Sequence, residues 1–414
     1  MSVDRSAPSA PQQQTNEPAS PRLRVALIGH AFMGRAHAQA WRTAPHFFPL
    51  PLQPELAVVV GRNEDRARAA AANFGAAEWS INWRDVIARD DIDLVDICTP
   101  GDQHAEIAIA ALRAGKHVLC EKPLARSVPE AREMADAAAI AANSGIVAMC
   151  GFSYRRTPAL ALAKRFIDEG RLGQIRHVRA QYLQDWLSSS EAPLTWRLDK
   201  ERAGSGALGD IGAHSIDTAQ WLTGQTIDGV SAMLRTFVTE RPVLSAQAGL
   251  GGRAEEGAER GPVTVDDAAL FTATLSGGAV GVFESTRVAT GRKNANRIEI
   301  NGETGSIAFD FERLNELEYY DARDPEDAQG FRTIQVTEPG HPYMAAWWPT
   351  GHGIGYEHLF THQVVDLVEA IAAGTPATPT FADALQVQRV LDAVSTSAAH
   401  RSESTPVQRG TGPV

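Results

Sequence analysis

The sequence predicts an α/β protein: a doubly wound parallel sheet up to about Cys150, then a second domain built on an antiparallel sheet. Three observations carry this. Between Leu23 and Cys150, short apolar runs alternate with Ala-rich amphipathic stretches. After Gly151 the apolar runs follow one another with turn residues between them. The 414 residues also exceed what one hydrophobic core usually organises.

In the first domain, "LRVALIG", "ELAVVVG", "DLVDICTP", "HVLCEKP" and "IVAMCGF" are short, β-branched and apolar on both faces. Strands read this way when helices cover both sides of a parallel sheet. The intervening "NEDRARAAAANFG", "HAEIAIAALRAG" and "VPEAREMADAAAIAANSG" are helical, each closed by a glycine at Gly75, Gly115 or Gly145. Regular strand–helix alternation of this kind defines the doubly wound class. In the second domain, the helix "PALALAKRFIDEG" leads into the alternating run "GQIRHVRAQYLQDW". Further strands follow from Ile227 to about Val336, with turns at "SGG" (276–278) and "NGETG" (301–305). The Gly-, Ala- and Glu-rich stretch near 245–263 reads as a mobile excursion. Helices over 357–374 and 381–399 close the domain. The expected division is thus a disordered tail (1–22), a first domain (23–150), a second domain (151–400) and a polar tail (401–414).

The formal charge of −11 excludes nucleic acid and anionic membrane as natural partners, both of which select basic surfaces. No apolar run approaches the ~20 residues of a membrane span, and residues 1–22 lack the apolar core of a secretion signal. Cys98, Cys120 and Cys150 each end an apolar segment and read as buried free thiols, not as metal ligands or disulfides. A cytoplasmic protein with no metal is the expectation.

Chemistry concentrates in four stretches. "RVALIGHAFMGRAHAQAW" passes from strand to helix through Gly29 and Gly34, with Ala31, Phe32 and Met33 between. It has the form of a dinucleotide turn whose middle glycine is Ala31. Helix amides beyond it would receive the pyrophosphate. The second strand ends at Gly61–Arg62–Asn63; Arg62 suits a 2′-phosphate, and equally an adenine face or solvent, so NAD against NADP stays open. "TPGDQHAE" brings Thr99, Pro100 and His104 to the carboxyl edge of the sheet, where ligands collect. "CEKP" brings Glu121 and Lys122 there, and a partly desolvated lysine can hold the oxygen of an alcohol or ketone. In "GDIGAHSID", Asp210, His214 and Asp217 share one face of a helix. Two flanking carboxylates would raise the His214 pKa and suit it to accept a hydroxyl proton, with Asp210 orienting the ring or binding a neighbouring hydroxyl.

Taken in order, "GHAFMGRAHAQAW", "TPGDQHAE", "EKPLA" and "GALGDIGAHSID" resemble the Gfo/Idh/MocA oxidoreductases, and the resemblance spans Leu23 to His400. It implies an N-terminal Rossmann domain and a C-terminal α+β domain with a large open, mainly antiparallel sheet. It implies Lys122, Asp210 and His214 as the catalytic set, a cis Lys122–Pro123 bond, and NAD(P) as cofactor. It also implies a homodimer or homotetramer assembled through the open sheet. Ala31 departs from the family's usual glycine. Within the family, "FSYRRTPALALAKRFI", "YLQDW", "PLTWRLDK" and "GIGYE" look like the levoglucosan and inositol-type dehydrogenases. That likeness makes Tyr154, Arg156, Asp185, Trp186 and Arg197 candidate contacts to a sugar, anhydrosugar or cyclitol. The expected reaction is oxidation of a secondary hydroxyl by hydride transfer. The family also admits ketose or anhydrofructose-type reduction and sugar–sugar oxidoreduction on a retained cofactor. A non-catalytic NAD(P) sensor is the alternative of another class.

Overall fold

The computed structural model describes residues 21–244 and 257–408. The strands are β1 (Arg22–Ile28), β2 (Gln53–Val60), β3 (Glu78–Ser80), β4 (Leu94–Ile97), β5 (His117–Cys120), β6 (Ala148–Cys150), β7 (Ile175–Leu183), β8 (Ile227–Arg235), β9 (Glu240–Pro242), β10 (Arg260–Pro262), β11 (Ala268–Leu275), β12 (Val280–Thr286), β13 (Ala295–Gly302), β14 (Gly305–Asp310), β15 (Glu316–Asp321), β16 (Arg332–Gln335) and β17 (Thr405–Pro406). The α-helices are α1 (Phe32–Phe47), α2 (Glu64–Phe74), α3 (Trp83–Ile87), α4 (His104–Arg113), α5 (Val128–Ala142), α6 (Pro158–Asp168), α7 (Lys200–Ala203), α8 (Ala213–Thr223), α9 (Tyr356–Ala373) and α10 (Phe381–Ala399).

The first sheet is parallel throughout, in the order β3-β2-β1-β4-β5-β6. The chain reverses direction of travel between β1 and β4, which opens a crevice at their carboxyl ends. The expected strands are all present. The exposed β3 ("EWS") had no apolar signal and joins the sheet only through β2. Helix α2 shows the local logic: Asn63 caps it by accepting from the Arg66 amide, Glu64 and Asp65 complement its dipole, and Gly75 ends it at φ 74°.

The second sheet has nine strands in the order β16-β15-β14-β13-β7-β12-β11-β8-β17. It is antiparallel except for the parallel pair β7–β12. One face is buried beneath α6, α8 and α10. The other carries Met233, Leu270, Val280 and Val282, all exposed.

Three expectations are corrected. In the stretch near 245–263, residues 245–256 lie outside the described residues, but Arg260–Pro262 is strand β10, paired with β9. The tail expected at 401–414 supplies β17, and Val407 is buried, because the edge of β8 offers unpaired amides there. Of the tail expected at 1–22, residues 1–20 lie outside the described residues and Arg22 begins β1. The packing also crosses the expected division at residue 150. Phe360, Val364, Leu367 and Val368 of α9 share a core with Val25, Leu27 and Trp41. The three cysteines are buried free thiols, and no described helix is long and apolar enough to cross a membrane.

Candidate active site

An open cleft of about 2830 Å³ runs along the carboxyl edge of the first sheet and against the second. At one end lies the turn from β1 to α1. Gly29 has φ 100°, and a Cβ there would sit 2.5 Å from the Cys98 carbonyl oxygen, so only glycine fits. Gly34 is buried beneath the turn. Ala31 is exposed, so its methyl meets open cleft and not protein. Helix α1 starts with no side-chain cap and no acid in its first turn, unlike α2. Its free amides and positive dipole end therefore face the cleft uncompensated, the arrangement that receives a pyrophosphate. Phe32, half exposed, stacks at 6.2 Å on Tyr356 across the cleft, and Met33 lines it. Arg62, at the end of β2, also lines it.

The middle of the cleft is formed by the loops after β4 and β5. His104 joins them: one ring nitrogen lies 3.0 Å from the Thr99 carbonyl, the other 3.1 Å from that of Pro123. Thr99 and Pro100 line the cleft beside it, with Glu121 and Lys122 opposite. The Lys122–Pro123 bond is cis, as the resemblance implies.

Lys122 reaches from the first domain to the second. Its ammonium contacts the Asp210 carbonyl oxygen and lies 3.4 Å from Asp210 Oδ1. On the other side, the fully buried Arg287 donates to Asp210 Oδ2 at 3.2 Å. Burial opposes the charge on Asp210, but Lys122, Arg287 and Arg197 hold its pKa far below the usual carboxylate range. Asp210 sits on a π-helical turn, Leu208–Gly212, that runs directly into α8. The turn is anchored by Asp266, whose carboxylate accepts the Gly206 and Leu208 amides at 2.7 and 2.8 Å. A Cβ on Gly206 would lie 1.8 Å from the Asp266 carbonyl oxygen.

His214 follows one turn later, buried edge-on against Tyr154 (4.5 Å) and Phe152 (5.9 Å), with the Tyr182 ring tilted against it at 5.9 Å. Its Nδ1 has no hydrogen-bond partner among the described residues. Here the expectation of a raised pKa is reversed: burial and then the Lys122 charge depress it well below the ordinary imidazole value. Asp217 does not flank the ring. Its carboxylate is taken by Arg155 at 2.9 and 2.6 Å, away from the cleft. The ring is therefore neutral near pH 7 and able to accept a proton.

Of the substrate candidates, Tyr154, Trp186 and Arg197 line the cleft together with Lys122, Asp210 and His214. Tyr154 and Tyr182 share a 2.6 Å hydrogen bond, and Tyr182 donates onward to Asn294. Trp186 donates to Gln184. Arg197 lies over the Trp196 ring at 4.5 Å. Arg156 and Asp185 are not among the lining residues. Arg156 is buried against Asp366 (3.0 Å) and the Thr378 carbonyl, tying α9 to the loop after β6. Asp185 accepts from Lys293 and the Gly291 amide. Both charges found partners in chain far away in sequence, which no local pattern reveals. Sequence reasoning missed Arg287, Tyr182, Gln184, Asn294 and Trp196; only the "YLQDW" and "PLTWRLDK" segments pointed near any of them.

The fold and the uncapped turn define a dinucleotide-binding protein with a second domain closing over the nucleotide edge. Comparison with known proteins agrees. The family model described as an oxidoreductase family with an NAD-binding Rossmann fold matches residues 23–149, and the GFO/IDH/MocA C-terminal domain matches 160–308. The chain belongs to the GFO/IDH/MocA family and is an NAD-binding oxidoreductase. It is 46% identical over 383 residues to a levoglucosan dehydrogenase of Pseudarthrobacter phenanthrenivorans, covering 92% of this chain and 97% of that one. Among solved structures it resembles an oxidoreductase domain protein from Kribbella flavida, with 60% identity, a TM-score of 0.89, and coverage of 94% of this chain and 100% of the other. It also resembles a levoglucosan dehydrogenase in complex with NADH and levoglucosan, with 44% identity, a TM-score of 0.87 and the same coverage.

Proposed function

We propose that the protein is a nicotinamide-dependent dehydrogenase that oxidises a secondary hydroxyl of an anhydrosugar of the levoglucosan type, or of a closely related sugar or cyclitol. The observation that carries this reading is the convergence of Lys122, Asp210 and His214 on one wall of the nucleotide cleft.

The residues from Gly29 to Gly34 would hold the pyrophosphate of NAD(P), with Thr99, Pro100 and His104 fixing the loop beside it. When bound, the nicotinamide supplies the hydride acceptor. The rest belongs to this chain. Lys122 donates a hydrogen bond to the reacting oxygen and stabilises its developing negative charge. Asp210 lies against its ammonium. His214, neutral and desolvated, accepts the hydroxyl proton. Asp210, fixed between Lys122 and Arg287, orients the lysine and offers an acceptor to a neighbouring hydroxyl. Trp186 and Trp196 present apolar faces suited to the flat side of a sugar ring, Arg197 presents donors at its rim, and the Tyr154 oxygen, whose proton goes to Tyr182, presents an acceptor. The 46% identity to a levoglucosan dehydrogenase supports this substrate class.

A substrate panel tests the reading. With NAD and NADP in parallel wells, levoglucosan is expected to give the fastest growth of the reduced-nicotinamide absorbance, ahead of myo-inositol, scyllo-inositol and glucose. Cofactor binding without reduction by any polyol would contradict it and favour a sensor. Sugar turnover without free NADH would favour oxidoreduction on a retained cofactor.

A further inference from the structure

Beneath the cleft, a hydrogen-bonded chain of buried polar groups runs from α1 to the lysine loop. His37 is 1% exposed, Asp96 0% and Glu121 4%. His37 Nδ1 lies 2.9 Å from one Asp96 oxygen and 3.0 Å from the other, and Nε2 lies 3.0 Å from Glu121 Oε1. A neutral imidazole has one N–H, which would leave one carboxylate facing a lone pair. Two carboxylates at these distances call for a ring with both protons.

We propose that His37 is a positioning residue for Lys122: its ring, gripped by Asp96 and Glu121, holds Glu121 so that the other Glu121 oxygen anchors the lysine backbone. That oxygen accepts the Lys122 amide at 3.2 Å. Glu121 has little freedom otherwise, since a Cβ on Gly151 would come within 2.8 Å of Oε1. Because His37 lies one turn beyond Gly34, the helix that opens at the dinucleotide turn also braces the lysine that faces the substrate. The purpose is precision: a flexible ammonium is useful only if its stem starts from a fixed point.

The surroundings favour the charged ring. Burial opposes it, but the Asp96 carboxylate pushes the His37 pKa well above its ordinary value. Facing the cluster are the Trp41 indole, which donates to Asp96 at 2.7 Å, the Cys98 thiol beyond β4, and the Phe360 ring of α9 at 5.5 Å. Cys98 is held neutral by burial and by Asp96. His37, Asp96 and Cys98 are close enough to chelate a cation, yet both ring nitrogens are already engaged and the thiol is protonated.

The proposal rests on the role given to Lys122, so its test begins with a measurement that needs neither substrate nor cofactor. In the full-length protein labelled with ¹⁵N-histidine, His37 is expected to show two protonated nitrogens at about pH 8, above the ordinary imidazole range. A neutral ring there overturns the proposal, and this reading stands even where a variant does not fold. The second arm compares His37→Gln with Trp41→Phe. His37→Gln is expected to lower kcat by about 30-fold with NADH affinity changed less than about threefold. Trp41→Phe, which leaves the His37–Glu121 contact intact, is expected to lower the melting temperature while kcat stays within about twofold. A His37→Gln enzyme that keeps kcat within about twofold of the parent also overturns the proposal.

Discussion

In the proposed mechanism Lys122 holds the reacting oxygen, and its removal is expected to give the sharpest single change. Lys122→Ala is expected to cut turnover by about 10³-fold, roughly 4 kcal/mol of transition-state stabilisation, while NADH still binds. Initial rates and a cofactor titration check this, and a loss below about tenfold would contradict the assigned role. His214, as the proposed base, is expected to set the pH dependence. Its folded pKa is depressed by burial and Lys122, so the base is lost only as pH falls through that depressed value. The acid limb of kcat/KM is therefore expected below the ordinary imidazole pKa of about 6.5, not above it as two flanking carboxylates would give. Ala31→Gly is expected to leave cofactor affinity equal or better, because the alanine methyl faces open cleft. The residues of the dinucleotide turn, the lysine loop and the segment carrying Asp210 and His214 were legible from sequence because each is a local motif. Arg287 was not: it meets Asp210 only because β12 ends beside the π-turn, and nothing near "STRVATG" announces that.

At the scale of elements, the five apolar strands and the long amphipathic helices were readable because period and length agree. What escaped were elements held by context. β3 is polar and survives by pairing with β2. β10 lies in a Gly-rich stretch and survives by pairing with β9. The π-turn at Leu208–Gly212 could not be told from an α-helix by spacing, and it changes which side chains share a face. Asp217 turns to Arg155 for another reason: the buried guanidinium from the loop after β6 lies beside it, and no pattern within α8 announces that. The Arg155–Asp217 pair is buried, so Arg155→Met leaves an uncompensated carboxylate and is expected to cost about 3–5 kcal/mol, measured by denaturant unfolding. A change below about 1 kcal/mol would mean that the pair is dispensable.

At the scale of the molecule, the described residues of the second domain leave one broad sheet face uncovered. Met233 pairs with Leu270 across β8 and β11, and Val282 and Val280 of β12 lie beside Thr272 and Thr274 of β11. Met233, Leu270, Val282 and Val280 are 62%, 45%, 48% and 51% exposed, a patch that a second copy would cover. A homodimer or homotetramer is the expected state by light scattering, and Met233→Lys with Leu270→Glu is expected to shift it toward monomer. A monomeric parent protein would contradict this.

The same scale holds the central claim: an ammonium from the first domain and an imidazole from the second act on one substrate hydroxyl. A double-mutant cycle of Lys122→Ala and His214→Asn, read as kcat on the best polyol of the panel, tests it most directly. Groups that act as one unit give grossly non-additive losses, so the double variant is expected to be about as slow as the slower single variant. Losses that multiply, with each substitution taking its full toll independently of the other, would contradict the account.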